Sequence, residues 1–240
     1  VIRSARWQTT CTILHSGDET FVVDSPIFPD ELDALPGIVQ QAGWGVSGLL
    51  ATHGDWDHLL GRLVFPDAAL GVSETTAARM RAEPGEAQRR LREHDDEAYV
   101  VRARPLSLGH VEALPVPGHI GLGAEELEVH PADGHTQDGM FIFSPEHRLL
   151  CAGDYLSPCE IPMISEGGSL DGYLATLDRL EQTVSRADWV VPGHGEPLDT
   201  QRALAILRED RDYLVALRER GADGPLPLAR RGAAMKAIHD

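Results

Sequence analysis

Residues 51–61 read ATHGDWDHLLG and set His53, Asp55, Asp57 and His58 behind an apolar run and ahead of a glycine. Two imidazoles and two carboxylates this close in sequence form either an acidic surface turn or a metal cradle. Three more groups stand where apolar runs give way to polar loops: His135 in HPADGHTQD, Asp154 closing RLLCAGD, and His194 in VVPGHGEP. Imidazole with carboxylate suits zinc, and equally iron or manganese. Bonds of about 2.0–2.2 Å demand that the donors converge within a few ångströms. Seven donors are too many for one tetrahedral ion and match two ions sharing a bridging water, with positions left for substrate. A single histidine in such a loop is more often structural; the set as a whole carries the metal reading.

Positioning seven donors requires strands that end together. TTCTILHS and TFVVDS are β-branched runs joined by the turn signal at 16–19, and they read as a hairpin. The 30–42 stretch looks helical despite Pro36, and VSGLLAT then reads as a buried strand aimed at His53. An extended H-x-D-x-D-H would set alternate side chains on one side. From 73 to about 97 the pattern is helical and highly charged, which is read as a solvated face. Residues 101–123, rich in Pro and Gly, look like irregular strands and loops. ELEVHPA and the hairpin GMFIFSPEHRLLCAGD restore strands. A helix follows at SLDGYLATLDRLEQTVSR with Ser169 as its cap, then the strand DWVVPG and a helix carrying Leu204, Leu207, Leu214 and Leu217. Strand-rich segments that each give way to helices point to a layered α/β domain.

Composition narrows the partners. The 240 residues carry 38 acidic against 21 basic side chains, a formal charge of −17. Such a surface repels a phosphate backbone, so nucleic-acid processing is disfavoured and a small-molecule substrate is expected. No apolar run reaches the length of about eighteen residues that a membrane span needs. The three cysteines, Cys11, Cys151 and Cys159, form no CxxC pair; they read as buried thiols of a reducing compartment, and no signal-peptide pattern is visible. A cytoplasmic location is the expectation.

The ordered set FVVDS, THGDWDH, DGHT, AGD and PGHG resembles the metallo-β-lactamase superfamily, which includes glyoxalase II type thioesterases and lactonases. The resemblance runs along nearly the whole chain and implies one domain over 1–240 with the four-layer αββα sandwich. It also implies roles. His53, Asp55 and His135 would hold a first metal, Asp57, His58 and His194 a second, and Asp154 would bridge them, with Asp24 supporting the cluster from behind. Asp57 and Asp154 would orient the attacking water and handle its proton. The family pattern is H-x-H-x-D-H, and this chain departs from it with Asp55 at the second histidine position. A carboxylate is shorter and harder than imidazole, so the first site is expected to be weaker or to tolerate iron or manganese.

The implied activity is a metallohydrolase, with two zinc ions, acting on an acyl bond of the thioester, lactone or β-lactam class. A mononuclear iron oxidoreductase of the persulfide dioxygenase type is the alternative, and a binding protein that kept its metal is a third. No residue pattern names the substrate. Its walls are expected from 73–123 and from the loop over 155–168, with the Arg-rich segment 79–104 as a candidate anionic clamp. Trp56 and Tyr155 are candidate wall or substrate-contacting residues, and His119 and His130 are the remaining histidines nearest the motifs.

Overall fold

Consecutive residues along the central strands are buried on opposite faces. Val22 and Leu49 pack with helices on one side, while their neighbours Val23 and Leu50 pack with Val129, Ile142 and Cys151 on the other. Phe141 and Phe143 likewise face away from Ile142. Strands buried on both faces require two sheets with a helical layer outside each.

The computed structural model, which describes residues 1–239, has that arrangement. The first sheet is ordered β1 (Ile2–Arg3), β2 (Thr10–Ser16), β3 (Glu19–Asp24), β4 (Gly48–Leu50), β5 (Leu70–Ser73) and β6 (Val111–Leu114). The second runs from β7 (Gly118–Leu122) through β8 (Glu125–Pro131), β9 (Met140–Ser144), β10 (Leu149–Gly153) and β11 (Trp189–Pro192) to β12 (Leu198–Asp199). From β3 to β6 all pairs are parallel; in the second sheet only β10 and β11 are.

Outside the first sheet lie α1 (Pro29–Gln41), α2 (Glu74–Ala82) and α3 (Glu86–Ala98), contributing Leu32, Leu35, Ala77 and Leu91 to its outer core. Outside the second lie α4 (Leu170–Val184) and α5 (Thr200–Arg220), with Leu177, Leu180, Ile206 and Leu214. A last helix, α6 (Ala233–His239), adds Met235 to that layer. Side-chain caps start three of these helices: Ser73 accepts from Thr76 N at 3.0 Å, Ser169 from Gly172 N at 3.0 Å and Asp199 from Arg202 N at 2.7 Å. The charged stretch after Ser73 is two helices, not one. Pro84 supplies no amide donor and Gly85 takes φ +83°, so the chain breaks there.

The C-terminal ends of β3, β4, β8, β10 and β11 share one rim. The two sheets are stitched there by backbone bonds, Met140 N to Thr52 O at 2.7 Å and Thr10 N to Gly193 O at 2.8 Å.

Candidate metal centre

Beyond β4 the chain does not stay extended, as the alternating pattern of 53–58 predicts. It tightens into a 3₁₀ turn at Trp56–His58 and a second at Leu60–Leu63. Ser25 fixes this fold: its hydroxyl donates to Asp57 O at 3.1 Å and accepts from Leu60 N at 3.0 Å. The tight turn brings adjacent residues, Asp57 and His58, to the same side, which an extended strand cannot do.

All seven predicted donors meet at the rim, in overlapping groups. His53, Asp55 and His135 form one trio and Asp57, His58 and His194 another, each with donor atoms mutually within 4.8 Å. In the first, Asp55 Oδ2 lies 3.8 Å from both His53 Nε2 and His135 Nε2. In the second, Asp57 Oδ2 lies 3.7 Å from His58 Nε2 and 3.6 Å from His194 Nε2. Asp154 sits between. Its Oδ1 is 3.1 Å from His58 Nε2, and its Oδ2 is 3.3 Å from both His135 Nε2 and His194 Nε2 and 3.7 Å from His53 Nε2.

The four imidazoles are oriented from behind, His53 by Thr52 Oγ1 at 3.2 Å from its Nδ1. His135 Nδ1 is 2.8 Å from Met163 O and His194 Nδ1 is 3.0 Å from Trp7 O. A carbonyl only accepts, so both Nδ1 atoms carry a proton and the Nε2 atoms face inward, where they can ligate once deprotonated. His58 Nδ1 faces Asp24 Oδ2 at 3.1 Å, and Asp24 is itself held by Thr52 N at 2.8 Å and Thr52 Oγ1 at 2.9 Å. Outer partners of this kind fix ring orientation and ligand basicity.

Buried polar atoms normally find partners. Here His53 Nε2, His58 Nε2, His135 Nε2 and Asp154 Oδ1 are buried without a hydrogen bond, all of them among the clustered donors. That is the donor chemistry of a metal site. The charges agree with it. Burial disfavours charged imidazoles, but the carboxylates outweigh it: Asp154 foremost raises His58 and pushes His194 up to about 10, and Asp55 with Asp154 raises His135. Burial and the adjacent His58 lower His53. Against the cost of burial, His194, His58 and His53 hold Asp154 well below the usual carboxylate range. A cluster whose anions and imidazoles are so strongly coupled is poised to exchange protons for cations.

The remaining candidates lie elsewhere. Tyr155 is buried, and its hydroxyl accepts from His135 N at 3.0 Å and lies 3.0 Å from Asp133 O, so it braces the His135 loop and is not free to touch substrate. Trp56 is buried beside Asp55, lining a cavity with Met80 and Leu108. His119 is exposed and His130 pairs with Glu128, both outside the cluster. Cys11 and Cys151 are buried as expected, whereas Cys159 is half-buried. The Arg-rich segment offers no open clamp at Arg79, Arg89, Arg90 or Arg102, each of which is paired with carboxylates.

The loop over 155–168 is more than a wall. Besides the Met163 carbonyl, its Ser165 N donates to His135 O at 2.7 Å, and its Ser157 Oγ donates to His194 O at 2.8 Å. Two of the seven donors therefore depend on it.

A family model for the metallo-β-lactamase superfamily matches residues 5–194. The chain belongs to that superfamily. Solved structures share the fold at low identity. A metallo-β-lactamase from Pontibacter korlensis is 20% identical, with 83% of this chain and 87% of that one covered and a TM-score of 0.62. The protein TTHA1623, solved in a di-iron-bound form, is 20% identical over 85% and 96%, with a TM-score of 0.64. The stereoselective inverting sec-alkylsulfatase Pisa1 from Pseudomonas sp. is 14% identical, covering 88% of this chain and 39% of its own, with a TM-score of 0.71. Within this metallo-β-lactamase fold, sequence reasoning missed Arg79 and Asp138, which contact Asp55 and Gly54, and the Trp7 and Met163 carbonyls. Carbonyls leave no trace in residue type. Asp138 lay in view within DGHTQD.

Proposed function

We propose that the protein is a dinuclear zinc hydrolase of small molecules that carry an acyl bond, of the thioester, lactone or β-lactam class. One observation carries this reading: Asp154 lies between two trios of donors, and three of their four inward nitrogens, those of His53, His58 and His135, are buried without partners. Bound ions at such centres supply Lewis acidity and a nucleophile at neutral pH, by lowering the pKa of water to about 7. The chain does the rest. His53, Asp55 and His135 would hold one ion and Asp57, His58 and His194 the other, with Asp154 placed between the two trios. Asp57 and Asp154 would orient the attacking water, and Asp57 would take up its proton. The substrate lies between two walls, Trp56 with Met80 on the side of α2 and Ile161 with Met163 on the side of the 155–168 loop.

Elemental analysis of protein purified without chelator, with a panel of thioesters, lactones and β-lactams, tests the reading; the sulfatase of the same fold adds sulfate esters to the panel. Two zinc ions per chain with hydrolysis of an acyl substrate, lost on demetallation, is the expected result. Full hydrolysis after thorough demetallation would overturn it. A second reading rests on the donor set: each trio is two imidazoles and one carboxylate, a combination that also suits non-haem iron(II). Iron content with oxygen uptake in place of hydrolysis would decide for that alternative.

A further inference from the structure

Asp55 differs from the other donors in having a cation bound to it. Arg79, on α2, donates from Nη2 to Asp55 Oδ1 at 2.9 Å. Its Nη1 donates to Asp138 Oδ1 at 2.8 Å and its Nε to Glu83 Oε2 at 3.3 Å, so the whole guanidinium is committed. The arginine side chain is only a tenth exposed, and Asp138 is buried. Asp138 Oδ2 in turn accepts from Gly54 N at 3.1 Å, and Thr136 Oγ1 donates to Asp138 O at 2.8 Å. Arg79 thus ties together the two loops, 53–55 and 135–138, that supply every member of the first trio.

The consequence for Asp55 is geometric. A carboxylate turns easily about its last torsion, and either or both of its oxygens can ligate. With Oδ1 turned to Arg79 Nη2, it is Oδ2 that faces the centre, the atom equidistant from His53 and His135. The fork geometry is particular to arginine; a lysine ammonium is a point charge and cannot hold two carboxylates in one plane. There is also a charge argument. Asp in place of the family's imidazole adds a negative charge to a buried cluster, and Arg79 supplies a compensating positive one.

We propose that Arg79 is the positioning residue that lets an aspartate serve at position 55, fixing it as a one-oxygen ligand of the first metal. This rests on the metal reading above. The test is titration of the metal-free protein with zinc alone, followed calorimetrically and by elemental analysis, for wild type, R79Q, R79K, D55H and D55H/R79Q. R79Q should weaken one of two binding steps by about 10–100-fold and leave the other unchanged, and R79K should recover only part of the loss. In the D55H background, where the carboxylate is gone, R79Q should change that step by less than about threefold, the rest of the cycle being the coupling between the two side chains. Two unchanged steps in R79Q would overturn the proposal. So would an equal loss with and without D55H, since Arg79 would then act through Asp138 and the scaffold. Should R79Q not fold, as judged by circular dichroism, R79K with and without D55H gives the same comparison. A wild-type protein that takes up no zinc overturns the metal reading and the proposal together, which separates that failure from one confined to Arg79.

Discussion

Asp24 Oδ2 lies 3.1 Å behind His58 Nδ1, on the far side of the ring from the centre. Asp24 holds this place at a positive φ of 56°, a conformation costly for a non-glycine residue and kept by its bonds to Thr52. D24N retains the size but loses the charge facing His58. It should bind zinc at the second site about 10–100-fold more weakly while the first site is unchanged. Competition with a chromophoric chelator measures this, and a second-site affinity equal to that of the wild type would show that Asp24 only shapes the turn.

The bridging place of Asp154 predicts a different stoichiometry from that of Asp55. Asp154→Ala removes a donor from both sites and should leave less than one ion per chain. Asp55→Ala should leave about one, held through Asp57, His58 and His194. Elemental analysis after gel filtration separates the two variants; matching metal counts would contradict the shared-ligand arrangement.

A buried pair outside the donor set predicts stability. Arg230 Nη1 lies 2.5 Å from Asp210 Oδ1, with both side chains about 1% exposed, and the same guanidinium donates to Glu160 O at 2.8 Å and Ser157 O at 3.2 Å. Removing one partner leaves a buried charge unpaired, which costs about 3–5 kcal/mol. R230M should show that loss in urea unfolding, and the apolar double variant R230M/D210L should recover much of it. A loss under about 1 kcal/mol in R230M would mean that water enters this site.

The thiols predict an alkaline limit. Burial pushes Cys151 up to about 12 and raises Cys11 as well. In the unfolded chain a thiol ionises near pH 8.5, as free cysteine does. Between that pH and about 12 the folded state therefore binds more protons, and stability falls as pH rises, at most about 1.4 kcal/mol per thiol per pH unit. Below pH 8 the effect is absent. Urea unfolding at pH 8 and pH 10 should show a drop that C11A/C151A reduces; identical slopes in both proteins would rule the thiols out.

The seven donors were legible in the sequence because metal chemistry restricts them to a few residue types, and because apolar runs such as RLLCAGD mark where strands end. The layering was legible for a related reason: runs like MFIF are apolar at every position, which only a strand buried on both faces allows. What escaped is what has no residue code. The carbonyls of Trp7 and Met163 orient two imidazoles, yet any residue supplies a carbonyl. Arg79 sits in a charged stretch whose later arginines on the next helix, Arg89 and Arg90, bind only Glu86 and Glu93 near the surface, and composition does not separate them. The path through 53–58 was read as extended because alternation is the simplest way to gather side chains. The 3₁₀ turn gathers adjacent ones, and its signal lies in Ser25, about thirty residues upstream.

Each trio also draws on both halves of the sandwich. His53 and Asp55 follow the first sheet while His135 belongs to the second, and Asp57 with His58 is matched in the same way by His194. An ion held there is a clasp across the seam as well as a reagent. Its binding free energy adds to the cohesion of the fold. Without it, four imidazoles and three carboxylates are left to face one another where the sheets meet. Loss of the ions would then leave a chain that is idle and also more readily opened at the seam.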